Sequence, residues 1–152
     1  MSNLDITFAT SIKYGNYKQH HATAVRIKRL LTQFKDLFDK AFDHKCTNVH
    51  IRPLKGKHGC ADVNGAHIEI DPRRSTLKAI VETLAHEFTH SEQFKQQRLE
   101  HNLVGPCFEG KQFKNAYTFK QYWKQPWEVE ARARAEKFIE ENWQHINVNY
   151  LL

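Results

Sequence analysis

The spacing of apolar residues changes period several times along this chain, and each change predicts an element. Leu4-Asp5-Ile6-Thr7-Phe8 alternates apolar and polar, which predicts a short strand. From His20 to Phe42 the apolar residues Val25, Ile27, Leu30, Leu31, Phe34, Leu37, Phe38, Ala41 and Phe42 recur at threes and fours. That period predicts one long amphipathic helix with a single packing stripe and a wet face of Lys, Arg and Asp. Residues 48–54 alternate again and read as a strand that Pro53 ends or places at an edge. Residues 60–63 and 66–71 flank Asn64-Gly65, a two-residue hairpin signal, and Asp71-Pro72 closes the second strand. Ser75 is then the expected cap of a helix with apolar positions Leu77, Ile80, Val81, Leu84 and Phe88.

Past Leu99 the pattern weakens. Residues 101–122 carry Gly105-Pro106, Gly110, Phe108, Phe113, Tyr117, Phe119 and Tyr122 and read as a long aromatic-rich loop, a feature that in a compact domain usually has a function. Pro126 suits the first turn of a last helix, with Ala131, Ala135, Phe138 and Ile139 on its buried side and Trp143 extending it. A long N-terminal helix, a small mostly antiparallel sheet, a central helix and a C-terminal helix make an α+β fold.

A length of 152 residues predicts one domain, 1–152, large enough to bury a core. The 40% hydrophobic and 12% aromatic content excludes a disordered chain. No stretch approaches a membrane span, and the opening Met-Ser-Asn-Leu-Asp lacks a signal-peptide pattern, so the expectation is a cytoplasmic protein. Cys46, Cys60 and Cys107 form no C-x-x-C pair and read as free thiols. The net charge of +6 reads first as solvated surface. It keeps nucleic acid as a secondary partner class, with no recognised binding motif beside it.

The candidate chemistry lies in His86-Glu87-Phe88-Thr89-His90. Histidines four apart on a helix project from one face toward a single metal ion, and the Glu87 carboxylate between them is placed to act as general base on a water. Uncharged Phe88 and Thr89, preceded by Leu84 and Ala85, argue against two incidental histidines on a surface helix. A catalytic zinc site takes three protein ligands and a water. Glu128 is the favoured third ligand, because Ala131 and Ala135 near its face would let its helix approach closely. Glu130 points about 200° away on the same helix and is an alternative, as is His101. The plain reading of Glu128 is an acid favourably placed at a helix N-terminus.

His-Glu-Phe-Thr-His followed by Glu128-Val129-Glu130-Ala131-Arg132 resembles the gluzincin metallopeptidases, which pair H-E-x-x-H with a downstream glutamate. Within them it is similar to minimal gluzincins and to the phage-repressor-cleaving and radiation-response proteases, whose second motif reads roughly E-x-E-A-N. The stretch His86 to Gln93, with Tyr122-Trp123 and Pro126-Trp127-Glu128-Val129-Glu130-Ala131, also resembles small phage-encoded H-E-x-x-H proteins. Arg132 stands where the family often has Asn or Asp. The resemblance covers about 50 residues. It implies a minimal zincin-like domain, one zinc ion per chain, a protein or peptide substrate, and a strand at 66–71 bordering the cleft. Tyr117, Tyr122, His101 and His58 are candidate donors to the oxyanion. Three functions follow as expectations: a metallopeptidase with Glu87 as base, a zinc-stabilised regulatory module without catalysis, or a Spartan-like protease acting on nucleic-acid-bound proteins, which would use His101 as third ligand.

Overall fold

The computed structural model describes residues 4–8, 17–43, 47–71, 73 and 76–150. The expected long helix is two helices, α1 (Tyr17–Gln33) and α2 (Lys35–Ala41), joined at Phe34 with φ −110° and ψ 26°. The apolar period misses the joint because Phe34 stays on the buried face, its ring edge-on to His145 at 5.9 Å. Bonds from Leu37 N (3.0 Å) and Phe38 N (3.3 Å) to Phe34 O carry the chain across it. Ile27, Leu30, Leu31 and Phe38 are fully buried.

The main sheet holds β1 (Leu4–Phe8), β2 (Thr47–Ile51), β3 (Gly59–Ala61) and β4 (His67–Ile70) in the order β1-β2-β4-β3. The α+β class stands, but this sheet is mixed. β1, β2 and β4 run parallel, with Ile6 opposite Val49 and Val49 opposite Ile68, and only β3 is antiparallel, with Cys60 opposite Glu69. Alternation marks the buried face of a strand and says nothing of its partner's direction. Val49, Ile51, Ile68 and Ile70 face the core, and His50, His67 and Glu69 lie on the other face. The edge strands are therefore β1 and β3, and the 66–71 strand is internal.

The connection between β3 and β4 is wider than a two-residue hairpin. Asp62 N bonds His67 O, and Gly65 N bonds Asp62 O, both at 2.9 Å. Gly65 has φ 74°, and a Cβ there would lie 2.5 Å from Ser91 O. The Ser91 hydroxyl donates to Gly65 O at 2.6 Å, so the glycine lets the turn dock on the next helix.

That helix, α3 (Leu77–Lys95), is capped by the Thr76 side chain accepting from Ala79 N at 3.2 Å. Ser75, the expected cap, lies outside the described residues, as do Pro72 and Cys46. α3 packs against the sheet and against the C-terminal helix α5 (Pro126–Asn149), which begins at Pro126 as expected. Phe38 stacks on Phe138 at 4.8 Å and Phe42 on Phe88 at 5.9 Å, tying α2, α3 and α5 into one core.

The expected 101–122 loop is broken up by short strands and a one-turn helix. β5 (Leu99–His101), β6 (Pro106–Phe108) and β7 (Lys111–Gln112) form an antiparallel sheet, and α4 (Phe119–Trp123) carries a Thr118/Gln121 capping box. Strands of two or three residues are too short to express a period. Phe94, Leu99, Phe108 and Trp127 form a second small core under this sheet. No described helix is long and apolar enough to cross a membrane.

Candidate metal centre

α3 turns the sequence spacing into geometry: His86 and His90 leave the same face one turn apart, with ring centroids 4.7 Å apart. α5 brings Glu128 to them from its first turn. Ala131 and Ala135 are buried, so small side chains do stand where α5 meets α3. Glu128 Oε2 lies 3.0 Å from His86 Nε2 and Oε1 lies 3.0 Å from His90 Nε2, and the two Nε2 atoms are 3.1 Å apart.

This donor set fits a divalent ion. Ligands at ~2.0–2.1 Å from a tetrahedral zinc stand about 3.3 Å apart, close to these separations. Each imidazole Nε2 has at most one proton and cannot donate to both of its neighbours, whereas a cation satisfies all three donors together. The buried or half-buried group His86, His90 and Glu128 can thus hold a metal ion.

Neighbouring residues hold the ligands in place. His90 Nδ1 donates to Gln93 Oε1 at 2.8 Å, which directs Nε2 to the site. Gln93 Nε2 donates to Trp127 O at 3.1 Å, so one buried carboxamide fixes both the second histidine and the start of α5. Sequence reasoning missed Gln93, and its position one turn after His90 is the only signal that could have found it. Glu130, an alternative ligand, is turned away and gripped by both terminal nitrogens of Arg98 at 2.8 and 2.6 Å. Arg98 also pairs with Glu109 at 2.6 Å, tying the small sheet to α5. His101, the other alternative, is exposed on β5 with its ring against Phe94 at 5.6 Å and outside the three-donor group.

Glu87 is buried beside the group, and its Oε2 has no hydrogen-bond partner. Burial pushes its carboxyl above the usual range, against the pull of His90 and His86. Gly59 on the edge strand makes room for it, since a Cβ there would stand 2.8 Å from Glu87 Cγ. Burial disfavours a charged His90, but the Glu128 bond and the Glu87 charge outweigh it and lift His90 to about 9 in the metal-free protein. Burial alone would raise the Glu128 carboxyl; the His86 and His90 bonds reverse that and hold it well below the usual range.

The tyrosine candidates separate. The Tyr122 phenol bonds Glu128, and its pKa is pushed up first by burial and then by the Glu128 charge, so it stays protonated. Tyr117 is 85% exposed on the approach to α4 and lines neither cavity beside the group. His58 is exposed at the rim. Cys60 and Cys107 are free thiols. Two cavities flank the centre, about 350 Å³ toward α4 and about 680 Å³ toward the small sheet. Gly59, Glu87, Tyr122 and Glu128 line both. Comparison with protein-family profiles, with curated proteins and with solved structures gives no match.

Proposed function

We propose that this chain is a zinc-dependent metallopeptidase with His86, His90 and Glu128 as metal ligands and Glu87 as general base. The observation that carries the reading is Glu87 Oε2, a buried carboxylate oxygen with no protein partner beside a three-donor group in an open cleft. A purely structural zinc site has no use for a fourth, unsatisfied acid.

When bound, zinc supplies Lewis acidity, which lowers the pKa of a water and polarises a carbonyl oxygen. Glu87 Oε2 accepts the proton of the attacking water. Its raised pKa lets it hold that proton and pass it to the leaving amine. Gln93 keeps His90 oriented, and Tyr122 is the donor proposed for the developing oxyanion, its one O–H turning there from Glu128. Cavities on both sides of Glu87 suit an extended peptide with residues on either side of the scissile bond. The edge strand β3 provides free backbone groups along that path. The Spartan-like arrangement is less well supported, because it needs His101 rather than Glu128 at the metal.

Glu87→Gln is the test. It should keep metal content and melting temperature and lower cleavage of a peptide mixture by the zinc-loaded protein about 10²–10⁴-fold. A zinc-loaded wild type that binds metal and cuts nothing would leave a zinc-stabilised regulatory module; a fully active Glu87→Gln would remove Glu87 as base.

A further inference from the structure

Arg132 follows Glu128 by one turn of α5, so both side chains leave the same face of the helix. Its guanidinium lies over the Trp123 indole, with Cζ 3.7 Å from the ring centroid. Other arginines of the fold have acceptors: Arg73 has Asp71, Arg98 has Glu130 and Glu109, and Arg134 has Glu92 and Ala41 O. Arg132 has none among the described residues. Its Nη1 is shielded from solvent without a partner, and Glu82, which lines the same cavity, forms no ion pair with it.

That cavity is the 350 Å³ space toward α4. Phe119 and Trp123 wall it, Lys57 and Arg132 supply positive charge, and it opens on His86 and Glu87. A guanidinium held against an aromatic face keeps its fork rigid and loses little entropy on binding a planar bidentate acceptor. A shielded guanidinium nitrogen with no hydrogen-bond acceptor is costly, and a ligand carboxylate would supply the missing acceptor. The neighbouring Glu82, Glu87 and Glu128 favour a singly charged carboxylate over a dianionic phosphate.

We propose that Arg132, stacked on Trp123, is the specificity-determining residue of a substrate pocket that takes a carboxylate beside the scissile bond. The proposal rests on the peptidase reading. The carboxylate comes from an Asp or Glu side chain, or from the free C-terminus of a peptide, and both present the same planar pair of oxygens.

Quenched peptides that differ only by Glu against Gln at each position flanking the cut, each made with a free and an amidated C-terminus, test it and distinguish the two sources. Zinc-loaded wild type should cleave the carboxylate-bearing member about tenfold to a hundredfold faster in kcat/KM. Arg132→Met keeps the stem packed on Trp123 and should lose that preference, the ratio of the two kcat/KM values falling to about one. Arg132→Lys, which retains charge without the fork, should recover only part of it. Cleavage with no carboxylate preference, or a preference that survives Arg132→Met, overturns the proposal.

Binding separates this result from failure of the peptidase reading. N-acetyl-glutamate amide, titrated against zinc-loaded wild type and Arg132→Met, should shift the Arg132 Nε–H resonance and bind the wild type more tightly than the variant. Any contribution from the metal is common to both proteins. Equal binding by the two proteins sinks the pocket even if peptides are cut. A carboxylate-selective difference without any cleavage would instead leave the pocket standing and remove the peptidase.

Discussion

Gln93 carries no chemistry of its own, yet its carboxamide joins His90 Nδ1 to the Trp127 carbonyl, with both contacts buried. Replacing it by Leu keeps the volume roughly and removes both bonds. His90 would then be free to rotate or change tautomer, and the first turn of α5 would lose its tie to α3. Gln93→Leu should weaken zinc binding about 10–100-fold while the protein stays folded. Competition with a chromophoric chelator measures this directly, and unchanged affinity would mean that helix packing alone orients His90. The metal ligands were legible because their spacing on a helix is itself geometry. Gln93 was not, since a polar residue on α3 reads as solvent-facing unless the helix packed over it is known. Glu128 lay between these cases: Ala131 and Ala135 marked a close approach of α5 to the metal helix, though the spacing left Glu130 and His101 as alternative ligands.

At the scale of elements, Asp71 is the residue that joins the end of β4 to the loop carrying Lys57 to the cavity. It is 3% exposed and accepts from Leu54 N and Arg73 N, each at 2.8 Å, and from Arg73 Nη2 at 2.6 Å. Burial opposes its charge, but the Arg73 and backbone bonds win and hold its carboxyl below the usual value. A depressed folded pKa gives stability that is present above the unfolded value of ~3.9 and is lost as pH falls through the folded value. Asp71→Asn should therefore destabilise by about 1–3 kcal/mol at neutral pH, with the gap to wild type closing below about pH 4. Urea melts at pH 7, 4 and 3 would show it, and a gap independent of pH would assign the role to shape rather than charge. The elements themselves were unevenly readable. The apolar rows of α1, α2, α3 and α5 are long enough to define a period, but Phe34 remains on the buried face across its joint and hides it. β5, β6 and β7 were hidden for the opposite reason, being two or three residues long and held by pairing rather than by pattern. Strand direction in the main sheet is decided by long-range pairing, so β3 rather than β4 became the edge that borders the cleft.

For the whole molecule, the donor set links α3 to α5, two helices 38 residues apart between His90 and Glu128. An ion at that point cross-links the folded state and has no equivalent site in the unfolded chain. At a hundredfold excess over Kd it should add about 2.7 kcal/mol, which for this size raises Tm by roughly 5–11 °C. The pH dependence has a definite sign. In the metal-free protein His90 is lifted to about 9, so its pairing with Glu128 stabilises fully below the unfolded value of ~6.5 and is lost as pH rises through 9. The depressed Glu128 carboxyl adds stability above its unfolded value of ~4.3, lost as pH falls through the folded value. Metal-free Tm should thus peak toward the acid end of the window between about pH 4.5 and 6.5, because the raised Glu87 carboxyl costs stability as pH rises, and decline toward 9. Zinc must displace the His90 proton, so its apparent affinity should gain about tenfold per pH unit up to 9. The zinc-induced rise in Tm, read at a fixed total zinc concentration without excess chelator, should therefore grow from pH 6 to pH 9 as the metal-free protein weakens. A rise that is flat across that range would show that His90 gives up no proton on metal binding, and would separate it from the ion.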